Sequence, residues 1–117
     1  ISYEILIHID NGDQITKDYF KRYAKMPNVV IYENNFGDPG PSRNFLTQKA
    51  NGEYLTFLDG DDLISDNWLV VAYGALIGAT EEVIVHPEGI LTFGTEVNNV
   101  LTIHTETLHV RKIQLCC

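Results

Sequence analysis

The sequence predicts an α/β fold: a mostly parallel sheet flanked by helices, followed by a β-rich C-terminal stretch. Three observations carry this. Short apolar, β-branched runs alternate with helical periodicities through the first part of the chain. The loops Asp10–Asp13, Asn34–Gly40 and Asp59–Asp62 are all rich in Asp, Asn and Gly. The last of them crowds Asp59, Asp61 and Asp62 directly behind the apolar run Tyr54–Leu58. Alternating strands and helices imply parallel pairing with helices on the sheet faces, and such a sheet presents its strand-to-helix loops on one edge.

Taken in order, Tyr3–Ile9 is a strand ending at the turn signal Asp10-Asn11-Gly12-Asp13. Ile15–Lys25 repeats Ile15, Tyr19, Phe20 and Tyr23 at helical spacing, with Asp13 or Thr16 as its N-cap and Pro27 closing it. Val29–Tyr32 is a short buried strand. Pro41–Ala50 reads as a helix with Pro41 in its first turn, an apolar face of Phe45, Leu46 and Ala50, and Asn51-Gly52 at its end. Tyr54–Leu58 is a strand, and Asn67–Ala79 a helix capped by Asp66 or Ser65. Glu82–His86 and Ile90–Phe93 form a hairpin around Pro87-Glu88-Gly89. Val97–Ile103 and Thr105–Val110 have strand composition.

Composition narrows the function. With 117 residues the chain is one domain or part of one, and 44% hydrophobic with 21% charged residues is a globular balance. A net charge of −8, with only eight Lys and Arg, excludes a basic nucleic-acid surface. Cys116 and Cys117 are adjacent and offer neither a loop to staple nor a metal spacing, which favours a reduced, cytosolic setting. The apolar run Trp68–Ala79 spans about 12 residues against the roughly 20 a membrane helix needs. The chain opens almost at once on a strand, so it is expected to be an excerpt of a longer polypeptide.

The acidic cluster has two readings. Burying unpaired carboxylates costs several kcal/mol or more, so the acids must lie past the strand's carboxyl end. There Asp-Gly-Asp-Asp is either a solvated turn or a site where a hard cation offsets the repulsion and grips phosphate oxygens. An EF-hand loop starting at Asp59 fails, because Leu63, Ile64 and Val70 stand where an oxygen ligand, Gly and Glu are required.

Four blocks taken together resemble the nucleotide-sugar-binding half of family 2 glycosyltransferases with the GT-A (Rossmann-like) fold. They are Glu4–Gly12; Asn35-Phe36-Gly37 with Ser42-Arg43-Asn44; Ala50–Asp62; and Asn67-Trp68-Leu69. The resemblance covers roughly residues 3–70. It implies an incomplete GT-A domain in which residues 1–94 are the nucleotide-sugar-binding half and 95–117 a β-rich tail of the same domain. It also implies sugar transfer from a nucleoside-diphosphate sugar, a UDP-sugar by preference, to a hydroxyl of a glycan or lipid-linked acceptor. The transfer would invert the anomeric centre with help from Mn²⁺ or Mg²⁺.

Carried over by residue, the resemblance implies that Asp10, Asn11, Arg43 and Asp59 contact the nucleotide. Asp61 and Asp62 would be the metal ligands, and Asn44 would brace the loop. Asn11 departs from the acid usual in the family, though an amide can still hydrogen-bond a uracil edge. The family's first strand, with its Pro-Thr-Tyr-Asn-like end, has no counterpart here. It would run between Tyr3–Ile9 and Tyr54–Leu58, so those two segments are expected not to pair directly. The family's later Glu-Asp pair, which supplies the base, has no match after Gly94. Glu81, Glu82, Glu88, Glu96 and Glu106 are not convincing substitutes, and no catalytic residue is assigned.

Two other functions compete. A sugar-nucleotidyltransferase needs a Gly-rich loop and Arg near its first strand, and no such segment occurs. A non-catalytic nucleotide-sugar-binding module would keep the pocket without the base. His104 and His109, five positions apart in a strand, point to opposite faces and would not share a metal. The expected setting is the cytoplasm, at the inner face of the membrane in a full-length protein.

Overall fold

The computed structural model of the chain describes residues 1–81, 83–87, 89–93 and 100–105. The chain divides into two compact units, Ile1–Leu63 and Ile64–Cys117.

The first unit begins with β1 (Ile5–Asp10), α1 (Gln14–Lys21), β2 (Val29–Asn34) and α2 (Pro39–Lys49). β1 and β2 are parallel, in a register that runs from Ile5 opposite Val29 to Asp10 opposite Asn34. A right-handed crossover is the usual solution for such a β–α–β unit. The pairing sets the ends of both strands, and therefore the two loops that follow, side by side. Ile9 (5% exposed) and Val29 (8%) are the buried apolar residues of the described chain.

Helix α1 starts where its cap predicts: Asp13 is extended, and its Oδ1 accepts from the Thr16 amide at 2.8 Å. It ends at Lys21, short of the expected Lys25. The last turn tightens into bonds from the Tyr23 amide to the Phe20 carbonyl and from the Ala24 amide to the Lys21 carbonyl. Pro27 cannot continue a helix and biases the residue before it away from helical geometry. Helix α2 begins two residues before the expected Pro41. Asp38 caps it by accepting from the Gly40 amide at 2.7 Å, and Pro39 takes the first helical position, where its missing N–H costs nothing.

The expected strand Tyr54–Leu58 is not one: these residues join no ladder. A strand is defined by its partner, and among the described residues this segment has no ladder partner: β1 pairs only with β2.

The second unit holds α3 (Trp68–Leu76), β3 (Gly89–Phe93) and β4 (Val100–Thr105). Asn67, not Asp66 or Ser65, is the cap residue of α3, and no side chain caps the helix; the Trp68 amide donates to the Ser65 carbonyl instead. The expected hairpin partner is also different. β3 pairs antiparallel with β4, setting Leu91 opposite Ile103, while residues 83–87 form no strand. Val100–Thr105 is an unbroken strand-favouring run, whereas Val83–His86 runs straight into Pro87, which has no N–H to give a ladder. The rest of the expected strands at 97–103 and 105–110 lies outside the described residues.

Candidate functional site

The site is built on the loops after β1 and β2, the first turns of α2, and the acidic turn at residues 59–62, all within the first unit. Asp10 ends β1, and the parallel register sets it beside Asn34, so its carboxylate faces the loop leading to α2. It is fully engaged there. Oδ1 accepts from the amides of Phe36 (2.7 Å) and Gly37 (3.0 Å), and Oδ2 accepts from the Ser42 hydroxyl (3.2 Å). The Gly37 amide above all, followed by the Phe36 amide and the Ser42 hydroxyl, holds the Asp10 carboxyl below its ordinary pKa. The loop can present two successive amides because Gly37 takes a positive φ of 69°.

Asn11 follows with φ of 53°, a left-handed conformation that Asn tolerates better than most residues, and its amide donates to the Asn34 carbonyl at 2.9 Å. Its side chain reaches toward Gly37. Under this loop His8 stacks on Phe36 at 5.5 Å and lies 5.6 Å from Phe45, with Nε2 3.2 Å from Asn34 Nδ2. His8 is therefore packing that ties β1, the loop and α2 together.

Ser42 is buried, and its hydroxyl lies within hydrogen-bond reach of the Asp38 carbonyl as well as Asp10. The brace expected of Asn44 is thus supplied by Ser42, and Asn44 is exposed. The next residue, Arg43, leaves α2 toward the acidic loop. Its Nη2 donates to both carboxylate oxygens of Asp59, at 2.7 and 3.0 Å. The pair is accessible to solvent, with side-chain exposures of 45% and 57%. The Asp62 amide donates to the Asp59 carbonyl at 3.1 Å and closes a four-residue turn that displays Asp61 and Asp62. Neither of those two carboxylates makes a side-chain hydrogen bond or ion pair to a described residue. The arrangement thus brings Asp10 to Ser42 and Arg43 to Asp59.

No group of three His, Cys, Asp or Glu gathers around a common point among the described residues. At most two carboxylates, Asp61 and Asp62, stand available for a cation. Both offer hard oxygen donors, and Mg²⁺ is commonly bound by one or two carboxylates plus substrate phosphates.

Sequence reading did not assign a task to Glu4. Just ahead of β1, its Oε1 accepts from the amides of Asn51 (2.6 Å) and Gly52 (3.0 Å), and its Oε2 from Asn51 Nδ2 (3.3 Å). The Asn51 amide is the main cause of its lowered pKa. Glu4 thus tethers the segment that leads from α2 toward the acidic turn. A carboxylate at the edge of an otherwise apolar strand was the available signal.

A parallel β–α–β unit followed by a capped helix and an acidic turn is a partial α/β fold of the GT-A, Rossmann-like type. The chain belongs to glycosyl transferase family 2, whose family model matches residues 2–111. It is 38% identical over 74 residues to a poly(ribitol-phosphate) β-glucosyltransferase of Bacillus spizizenii, a match covering 61% of this chain and 12% of that protein. The minor teichoic acid biosynthesis protein GgaB of Bacillus subtilis is 36% identical over 66 residues, 53% of this chain and 7% of that protein. The putative glycosyltransferase EpsH of Bacillus subtilis is 37% identical over 67 residues, 56% of this chain and 19% of that protein. The chain therefore spans less than a fifth of the length of these relatives. No solved structure matches it.

Proposed function

We propose that this chain is the nucleotide-sugar-binding half of a glycosyltransferase. The protein would move a sugar from a UDP-sugar to a hydroxyl of a cell-surface glycan or lipid-linked polymer, inverting the anomeric centre. The observation that carries this reading is the family match over residues 2–111, within which Arg43 fastens the acidic turn to the loop cluster at the end of β1. The relatives named for poly(ribitol-phosphate) and teichoic acid support a polymer acceptor of that kind.

In this reading Asp10, Asn11, Arg43 and Asp59 form the wall of the nucleotide site. Asn11 offers an amide donor and acceptor to a base edge. Asp61 and Asp62 would hold Mn²⁺ or Mg²⁺, which when bound supplies positive charge against the diphosphate that departs as the glycosidic bond breaks. The amides of Phe36 and Gly37 are occupied by Asp10, so they set the loop's shape rather than binding phosphate. The protein would work at the cytoplasmic face of the membrane; no described helix is long and apolar enough to cross one.

A donor screen on the full-length protein tests the proposal. UDP-, GDP- and dTDP-sugars are titrated with and without Mn²⁺, reading binding and slow donor hydrolysis. The expected result is Mn²⁺-dependent binding of a UDP-sugar that weakens about tenfold or more in Asp61→Asn, because metal affinity follows ligand charge. Equal affinities in the two proteins would reduce the acidic cluster to a solvated turn. Binding without hydrolysis or transfer would favour the non-catalytic module.

A further inference from the structure

Helix α1 and the turns after it differ in charge from the rest of the chain. Lys17, Lys21, Arg22 and Lys25 are four of its eight Lys and Arg, and Asp18 is the one acid among residues 14–26. Four cations against one carboxylate leave that stretch at +3 in a chain of net charge −8. The same stretch turns apolar side chains outward. Lys17 pairs with Glu33 of β2 at 3.1 Å, which sets that face of α1 toward the sheet. Ile15, Tyr19 and Arg22 follow at spacings of four and three, so they line the face opposite Lys17. Ile15 is 80% exposed and Tyr19 47%, and Met26, in the turns that continue the helix, is 45% exposed. The Arg22 guanidinium lies 4.4 Å over the Tyr19 ring, so cation and ring share one surface. Lys21 is bound to Asp18 at 2.6 Å, whereas neither Arg22 nor Lys25 pairs with an acid among the described residues.

We propose that this outer face docks on an anionic lipid bilayer, with Ile15, Tyr19 and Met26 entering the headgroup region and Arg22 and Lys25 meeting the lipid phosphates. The proposal rests on the reading of a transferase that meets a lipid-linked acceptor at a membrane, and it names the surface that makes the contact. Charge complementarity selects an anionic partner, and the apolar side chains select its kind. A phosphate polymer would engage the cations alone and leave Ile15 and Met26 in water. A bilayer interface takes cation, ring and alkyl chain together. The acidity of the rest of the chain does not forbid the approach, because repulsion is screened beyond about 8 Å at physiological salt. Ile15 stands five residues past Asp10, so a docked α1 holds the loops after β1 and β2 near the lipid.

The two kinds of contact have separable effects. Each Lys or Arg held near an anionic surface strengthens binding about fivefold. Arg22→Gln combined with Lys25→Gln should therefore weaken partition into anionic vesicles by about twenty-fivefold. Ile15→Ser combined with Met26→Ser should weaken it by about tenfold, because two apolar side chains lose their place in the interface. Both pairs lie outside the donor loops and should leave Mn²⁺-dependent UDP binding unchanged.

The experiment is sedimentation of the full-length protein and the two double variants with vesicles, each protein first checked for an unchanged thermal transition. One set of vesicles is phosphatidylcholine alone, the other phosphatidylcholine mixed with phosphatidylglycerol. The expected result is binding that requires phosphatidylglycerol, falls with added salt and weakens in both variants. Should a double variant fail to fold, Lys25→Gln alone, at an exposed position, should lose about fivefold. Equal binding to both kinds of vesicle, or variants that bind as the wild type does, would overturn the docking surface. A loss confined to the Arg22 and Lys25 variant would point to a phosphate polymer and overturn it as well. A wild type that binds anionic vesicles but no UDP with Mn²⁺ would overturn the donor site alone, so the two readings fail separately.

Discussion

The loops at the two ends of β1 and the segment Tyr54–Leu58 are equally short of regular structure, yet they are held in opposite ways. At one end Asp10 gathers two amides and a hydroxyl; at the other Glu4 gathers two amides and a side-chain amide. Each loop is fixed by a carboxylate that the sequence places within reach. Residues 54–58 join no ladder, and Leu55 (50% exposed), Phe57 (48%) and Leu58 (50%) remain open to solvent. Side-chain braces make a loop specific at small cost in sequence. An apolar strand has no such resource, because its backbone groups and its side chains both need neighbours.

The largest test of this contrast lies in what the braced half packs against. Ile9 is the most deeply buried side chain of β1, and Ile9→Ala should cost about 2–5 kcal/mol, read from the urea midpoint. A loss under about 1 kcal/mol would mean that the braces, not the core, hold the first unit. Gly12→Ala comes next. A Cβ there would run into Ile9 Cγ2, a stiff β-branched side chain that cannot swing away, so overpacking of about 1–3 kcal/mol is expected. Ile9→Val combined with Gly12→Ala does not relieve that contact, because Val keeps a branched Cγ atom at the same carbon.

Acid sharpens the comparison further. Asp10 and Glu4 both have folded pKa values below their ordinary ones, so the unfolded chain takes up protons first as pH falls. Their stabilising effect is complete above the ordinary carboxylate range, about pH 4, and is lost as pH drops through it toward the folded values. Asp10→Asn should therefore lower the melting temperature by several degrees at pH 7 and by less at pH 3. A gap that stays constant between those pH values would show that the Asp10 charge does not brace the loop. The smallest effect is expected in the open segment: Phe57→Ser should change stability by no more than about 0.5 kcal/mol, as at other exposed positions. A loss of several kcal/mol would show that residues 54–58 lie in a packed sheet after all.

Much of the first unit was legible in the sequence because its signals are local. Asp13, one of the two caps the sequence offers, caps α1, because capping acts within a turn of chain, whereas the helix ends at Lys21, well before the Pro27 expected to close it. The start of α2 was read from Pro41, whereas Asp38 and Pro39 supply an earlier cap of the same kind. The alternation of β1, α1 and β2 fixed the parallel pairing and so the loops that adjoin Asp10. Family membership was legible as well, since it rests on the order and spacing of the acidic, Asn and Arg blocks.

The tertiary structure decided matters that depend on partners remote in sequence. Nothing in the order of residues paired Arg43 with Asp59, sixteen positions on, or set Glu4 on Asn51 and Gly52. The strand composition of Tyr54–Leu58 was plain, but a ladder requires a neighbour that composition cannot name. The same applies to β3, whose partner proved to be β4 and not the run before Pro87. Caps and turns are satisfied by atoms a few residues away, and the sequence determines them by itself. Strand pairing and ion pairs are closed by atoms that only folding brings together, and those the tertiary structure decides.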